Sequence, residues 1–285
     1  MQFGESGQPV AARTITRPNY VAGVLSAFWL VIIGMPVLWM ISWSLQRRSE
    51  YLVHGPLALP SRVTFENFRA VVEGGFASYL LNSAAVALAS VALTLVLALP
   101  AAYAIVRSRS WLSGAVFRVF LLGLAIPAQA TIIPVYWILT RLELYDTLTG
   151  IVLPTVAFGL PLVILILAGS LRDVPGELYE AMTVDGAGPL RAFVRLTLPL
   201  SRGAITTVAI FSGLNAWNGF IFPLILTQSK EKRVATLGLW DFQQQYGVDV
   251  PRQMTAVLLS TIPVLFLYLF ARRWLVAGLA GMGGK

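Results

Sequence analysis

Charged residues leave six long gaps in this chain. The uncharged runs are 18–46, 74–106, 119–140, 147–171, 203–229 and 253–271, of 29, 33, 22, 25, 27 and 19 residues. A helix rises about 1.5 Å per residue and a bilayer's hydrocarbon core is about 30 Å thick, so about 20 apolar residues span it. Each run has room for one crossing helix. Barrel strands would be about 10 residues long with alternating polarity; Val86–Leu99 and Ile205–Phe211 do not alternate. The pattern predicts an all-α polytopic membrane protein with six transmembrane helices, at about 21–45, 79–105, 116–139, 147–170, 204–227 and 254–276. The first run is too long for the apolar region of a cleaved signal peptide, so it is expected to remain as a helix. The resulting divisions are a tail over 1–20, the first helix over 21–45, a loop over 46–78, a core of five helices over 79–276 and a tail over 277–285. Trp29, Trp39 and Trp43 suit interfacial anchoring or lipid-facing packing.

Composition supports this reading. Hydrophobic residues make up 57% of the 285 and charged residues 12%, with a mean hydropathy of +0.74. Soluble domains carry about 25% charge, so a water-facing surface would be hard to build here, and disorder is excluded. The absence of cysteine excludes a disulfide scaffold, a thiolate metal site and a thiol nucleophile. The net charge of +8 fits loops lying against anionic lipid better than nucleic-acid binding. With the N-terminus in the cytoplasm, the inner segments hold Arg13, Arg17, Arg107, Arg109, Arg118, Arg172, Arg191, Arg195, Arg202, Arg272, Arg273 and Lys285. The excess of basic residues inside is the usual bias, although Arg47 and Arg48 run against it.

Eight prolines fall in the expected spans: Pro36, Pro100, Pro127, Pro134, Pro154, Pro161, Pro223 and Pro263. Each removes a backbone hydrogen bond and favours a kink. The pairs in the third and fourth helices suit broken helices around a pathway, while single prolines are common in membrane helices without such a role. The spans carry amides, Asn82, Gln129, Asn215 and Asn218, and no acid, base or histidine in their middles. A proton relay would use ionisable groups there. Neutral amides fit a neutral, hydroxyl-rich solute, or hydrogen bonding between packed helices. An aromatic beside amides, as at Asn215, Trp217 and Asn218, can stack on and hydrogen-bond a sugar.

Catalytic chemistry is not visible. His54 is the sole histidine and lies in a loop; no metal-ligand spacing, nucleophile elbow or phosphate loop occurs. Energy for any transport must come from another subunit or from a gradient.

The stretch from Arg172 to Leu200 is long for a helix connection and carries helical signals of its own. Asp173 and Pro175 mark a start, and Glu177 and Glu180 favour the helix N-terminus. Leu178, Ala181 and Met182 share an apolar face, Gly186 ends the helix, and Gly188 and Pro189 open another. Two readings are open on these grounds: an amphipathic helix lying on lipid headgroups, or a docking element for a soluble partner.

The residues Glu180-Ala181-Met182-x-x-Asp185-Gly186-Ala187, followed by Phe193 and Leu198-Pro199-Leu200, resemble the EAA loop of ABC-importer permeases, with Met182 where the second alanine usually stands. Asn82-Ser83, Ile133-Pro134-Val135-Tyr136, Leu144-Tyr145-Asp146-Thr147, Gly159-Leu160-Pro161 and Trp217-Asn218 are similar to the carbohydrate-uptake, maltose-type branch. There an acidic residue often follows Trp-Asn; here it is Gly219. The resemblance covers about residues 20–280. It implies the type I importer permease fold and a transport subunit rather than an enzyme, in the plasma or inner membrane. Both termini and an EAA coupling loop over 171–203 would be cytoplasmic, and the loop over 46–78 extracytoplasmic. The implied partners are a second homologous permease, a cytoplasmic ABC ATPase dimer that binds the ATP and magnesium, an extracellular solute-binding protein, membrane lipid and a small-molecule solute. No cofactor or metal belongs to this chain itself. The ATPase-coupling residues would be Glu177, Glu180, Ala181, Met182, Asp185, Gly186 and Ala187, and the pathway residues Gln129, Asn215, Trp217 and Asn218. A sugar or oligosaccharide is the expected solute. An amino acid or polyamine permease of the same machinery, a gradient-driven carrier or membrane enzyme, and a non-transport scaffold that merely anchors an ATPase are the rivals.

Overall fold

The computed structural model describes residues 20–108, 110–244 and 247–282. The tail expected at 1–20 lies, apart from Tyr20, outside the described residues, as do 283–285 of the tail expected at 277–285. The first helix, α1 (Tyr20–Ser44), is apolar on every side, as befits a helix facing lipid. Its chief packing partner is the last helix, α14 (Val250–Met282). At its end Trp43 stacks on Trp39, meets Tyr51 edge-on and donates its indole N–H to the Pro56 carbonyl at 2.7 Å. That anchors α2 (Arg48–His54) against the helix end.

A second helical path runs through α3 (Glu66–Val71) and a wide turn over Val72–Phe76 into α4 (Ala77–Arg107). Gly75, at φ +94°, makes the bend between them, a conformation that glycine adopts without penalty. One side of α4 is a seam of small buried residues, Ser83, Ala87, Ser90, Thr94, Ala98 and Ala102. Their spacing of three and four places them on one face, and their size lets neighbouring backbones approach. Against this seam pack α7 (Leu148–Arg172) and α11 (Arg202–Trp217). Val163, Ile164, Leu167 and Leu171 of α7 and Val208 of α11 close the central cluster with Ala98 and Ala102.

The third expected span is broken. Helix α5 (Trp111–Gly123) is followed by a tight turn over Ala128–Thr131 and by α6 (Ile132–Arg141), with a bend of 92° between the halves. Pro127, extended at φ −69° and ψ 127°, stands at the break. The fourth expected span corrects the reading of its paired prolines, because α7 runs unbroken through both Pro154 and Pro161. Pro161 packs closely against Gly123 of α5, where an added Cβ would sit 3.1 Å from its ring. Its ring fills a helix contact instead of opening a gap.

The fifth expected span, 204–227, is likewise not one helix. It is α11 and then α12 (Ile221–Leu226), separated at 218–220. The backbone N–H and the side-chain amide of Asn218 both donate to the Leu214 carbonyl, at 3.0 and 2.9 Å. A side chain that competes for helix carbonyls ends a helix in this way. Among the described residues, four helical segments are long and apolar enough to cross a bilayer, or five if the bent α5–α6 pair counts as one.

The starts of α4, α7 and α14 share one end of the bundle, with the segment 227–249 folded over it. That segment contains α13 (Ala235–Gly238) and a two-residue antiparallel pairing, β1 (Gln243–Gln244) with β2 (Gly247–Val248). Asn82 of α4 donates its amide to the Glu231 and Arg233 carbonyls, both at 2.8 Å. Ser83 Oγ accepts the Ala235 N–H at 2.8 Å, and Tyr79 OH donates to Asp241, which also pairs with Arg233. Asp146 Oδ1 accepts the Gln228 and Ser229 N–H groups at 2.9 and 3.1 Å. The Gln228 N–H bond, reinforced by Ser229, holds the Asp146 carboxyl below the usual carboxylate range. The ionised form is therefore the one that grips the segment. Its hold is complete above the ordinary value near 3.9 and is lost as the pH falls through the lowered one. Amide exchange at Gln228 and Ser229 is expected to quicken by at least about two-fold in that acidic window, after correction for intrinsic pH effects. Asp146→Asn should remove this pH dependence.

Candidate functional site

At the opposite end, the residues after α7 form α8 (Gly176–Val184), α9 (Pro189–Ala192), a wide turn over Phe193–Thr197 and α10 (Leu198–Leu200), which leads into α11. The starts differ slightly from the sequence expectation. Asp173 caps the end of α7, and Pro175, extended at ψ 135°, precedes α8. The end falls where expected. The Gly186 N–H donates to the Thr183 carbonyl at 3.0 Å and the Ala187 N–H to the Met182 carbonyl at 2.9 Å. Together with φ +73° at Gly186, this is the Schellman closure. Gly188 then precedes Pro189 in the first turn of α9, the position proline tolerates best.

Helix α8 has two unlike faces. Tyr179 is 4% exposed and points into the bundle, and Met182 is half-buried beside it. Glu177, Glu180, Ala181 and Asp185 are exposed, and so are Leu178 and Val184. Glu180 makes no hydrogen bond or ion pair among the described residues. Beyond the turn, Leu190 and Val194 extend the exposed apolar surface, and each is followed by an exposed arginine, Arg191 and Arg195. Ala187 is half-buried at the turn. All seven candidate coupling residues thus lie on one short helix and its closing turn. Most face outward, as an acidic and apolar patch that nothing among the described residues covers.

The anchor of this segment escaped the sequence reading. Tyr103 and Arg107, in the last turns of α4, receive it. The Arg107 guanidinium lies 3.8 Å from the centre of the Tyr179 ring. Tyr103 packs on Phe193 at 5.1 Å between centroids and on Tyr179 at 6.4 Å. Tyr103 OH donates to the Pro189 carbonyl at 3.2 Å, and Tyr179 OH shares a 3.0 Å hydrogen bond with Thr197 Oγ1. A tyrosine between two glutamates, at the spacing that turns it from the exposed acids, was the available signal.

The four candidate pathway residues fall at two helix breaks. Gln129 is exposed in the turn between α5 and α6. Asn215, Trp217 and Asn218 lie in the last turn of α11 and the break that follows it. Asn215 is exposed; the Asn218 amide is engaged by Leu214. Trp217 is half-buried in an apolar groove of about 260 Å³ formed with α4 and α14, where Leu88, Val91, Gly213, Pro263 and Leu267 also contribute. No hydrogen bond among the described residues links Gln129 to the other three. Just past the break, Phe220 stacks on Trp240 at 6.0 Å, and Trp240 is 56% exposed.

A polytopic helical bundle with broken helices and an outward-facing helix–turn–helix between α7 and α11 has the layout of a transporter's membrane subunit. Residues 94–280 match the family described as binding-protein-dependent transport system inner membrane component, and the chain belongs to that family. It is 33% identical to the diacetylchitobiose uptake system permease protein NgcG of Streptomyces coelicolor, over 96% of this chain and 91% of that one. It is 32% identical to the trehalose transport system permease protein SugB of Mycobacterium tuberculosis, over 89% of this chain and 96% of that one. Among solved structures, a bacterial ABC transporter involved in import of the acidic polysaccharide alginate superposes with a TM-score of 0.77. That match has 19% identity and covers 90% of this chain and 98% of the other, a likeness of fold.

Proposed function

We propose that this chain is the membrane-spanning permease subunit of an ATP-driven importer for a sugar or oligosaccharide. An extracellular binding protein would deliver the solute. The observation that carries the coupling half of this reading is the outward patch on α8. It is an acidic and apolar surface closed by the Gly186 turn and backed by a buried tyrosine, so it is shaped to be gripped. The partners are a cytoplasmic ABC ATPase dimer, which holds ATP and magnesium, and a second homologous permease. Glu177, Glu180, Ala181, Met182, Asp185, Gly186 and Ala187 are the coupling residues. In this reading α11 and α12 together make the fifth crossing and bring the total to six, both termini and the loop over 171–203 face the cytoplasm, and the segment 227–249 faces outward. Relatives named for diacetylchitobiose and trehalose support a carbohydrate as solute. The amides and tryptophan at the breaks, Gln129, Asn215, Trp217 and Asn218, supply hydrogen bonding and stacking of the kind sugars need.

The experiment is purification in mild detergent from native membranes. We expect an ABC ATPase and a second permease to copurify, and the associated binding protein to hold a carbohydrate. Vanadate should abolish uptake of that carbohydrate into proteoliposomes bearing the complex. A preparation with no nucleotide-hydrolysing companion, or uptake that is indifferent to vanadate, would overturn the coupling reading. A binding protein charged with an amino acid or polyamine would overturn the sugar assignment.

A further inference from the structure

The coupling segment meets the rest of the bundle through a small aromatic joint. Towards α7 its helix is interrupted at 173–175, so α8 is not a rigid continuation of the helix before it. Towards α4 the contacts are close and come from both sides of the Gly186 turn. Tyr179 of α8 lies under the Arg107 guanidinium, and its hydroxyl bonds Thr197 beyond the turn. Phe193 and the Pro189 carbonyl both meet Tyr103. Tyr179 and Thr197 are 4% and 1% exposed, so the joint is buried, whereas Arg107 reaches it from the surface. Helix α4 then runs for 31 residues, about 45 Å at 1.5 Å per residue. Near its other end Tyr79, Asn82 and Ser83 hold the segment 227–249 by four hydrogen bonds. One continuous helix, with Pro100 inside it, therefore has the coupling segment fastened at one end and a loop of the opposite face fastened at the other.

We infer that Tyr179 and Arg107 form the joint through which displacement of α8 reaches α4, and that α4 carries it to the segment 227–249 across the membrane. The inference rests on the coupling reading above. Tyr179 and Arg107 are positioning residues: they touch neither ATP nor solute, and act by making α8 and the end of α4 move together. A guanidinium over an aromatic face is attracted electrostatically by the ring, and at 3.8 Å from its centre this contact ties α8 to the end of α4.

The test uses the complete importer, with its ATPase and binding protein, reconstituted in proteoliposomes. ATP hydrolysis and solute uptake are measured on the same vesicles. Arg107→Gln and Tyr179→Leu are expected to lower the solute moved per ATP hydrolysed by about five-fold or more, a typical coupling between distant sites. Arg107→Lys and Tyr179→Phe keep a cation over a ring and are expected to restore most of the ratio. Rescue by Arg107→Lys, which returns only the charge over the ring, is the outcome that a role confined to packing would not give. An unchanged ratio in Arg107→Gln overturns the inference, as does a Tyr179→Phe complex as uncoupled as Tyr179→Leu. Should Tyr179→Leu fail to assemble, Arg107→Gln decides alone, because Arg107 is exposed and its replacement empties no core. A parent chain that copurifies with no ATPase would sink the coupling reading itself. A normal parent complex with a normal Arg107→Gln ratio would sink only this route.

Discussion

Gly186→Val is expected to abolish solute-stimulated ATP hydrolysis by the assembled importer while leaving membrane insertion intact. The reason is conformational. Position 186 sits at φ +73°, and an added Cβ would meet nothing within 4 Å, so crowding is not the cause. A left-handed conformation costs an ordinary L-residue about 1–2 kcal/mol, and a β-branched side chain there is an outlier. Valine would therefore pull residue 186 towards negative φ and open the two hydrogen bonds that close α8 onto Met182 and Thr183. The exposed acids of α8 and the apolar side chains Leu190 and Val194 would then no longer form one surface. The series should be graded, with Gly186→Asn mildest because asparagine tolerates the left-handed region, Gly186→Ala intermediate and Gly186→Val most severe. ATP hydrolysis by reconstituted complexes, with and without loaded binding protein, gives the ranking. Normal stimulation in the valine variant would reject a coupling role for the turn.

The second large effect is on folding. Gly238→Ala should lower the thermal midpoint of the detergent-solubilised protein markedly. A Cβ at this position would overlap Cδ2 of Tyr79 and sit 2.9 Å from its Cε2 and 3.0 Å from Cε2 of Phe76. Both rings are buried, at 5% and 1% exposure, and they hold each other edge-to-face at 5.9 Å. The Tyr79 ring cannot yield without straining its hydroxyl's bond to Asp241. Overpacking of this kind costs about 1–3 kcal/mol, and here it would also loosen the segment 227–249 from α4. Gly74→Ala is the control: nothing lies within 4 Å of its added Cβ, and a small stabilisation of about 0.4–1 kcal/mol is expected. Equal midpoints for the two variants would show that the glycine contact does not matter.

Local signals were legible in the chain and distant pairings were not. The helix α8, its stop at Gly186 and the proline start of α9 are written in residues a few positions apart, and the structure holds them nearly as read. The membrane character follows from where charges are missing. The spacing of Tyr179 between Glu177 and Glu180 marks it as turned inward, but its partners at 103 and 107 lie more than 70 positions away, and no local pattern names them. Asn82 read as a span amide for the same reason: its acceptors are carbonyls at 231 and 233. Prolines marked one break and not the others: Pro127 stands where the third span bends. The two in α7 sit in an intact helix, while α11 ends at an asparagine and a glycine, through a side chain that takes over a carbonyl. The small-residue seam on α4 was open to inspection, being regular in spacing, but small residues announce close packing only once the partner helix is known.

The chief pairing of α1 with α14 joins the first and last described helices, and this sets a timetable for biogenesis. During synthesis about 200 residues separate the release of one from the other, roughly 10–40 s at ribosomal speed. Through that interval the earlier helix must wait in the bilayer without its mate. A segment apolar around its whole circumference is suited to such a wait, since lipid tails solvate every side of it until its neighbour arrives.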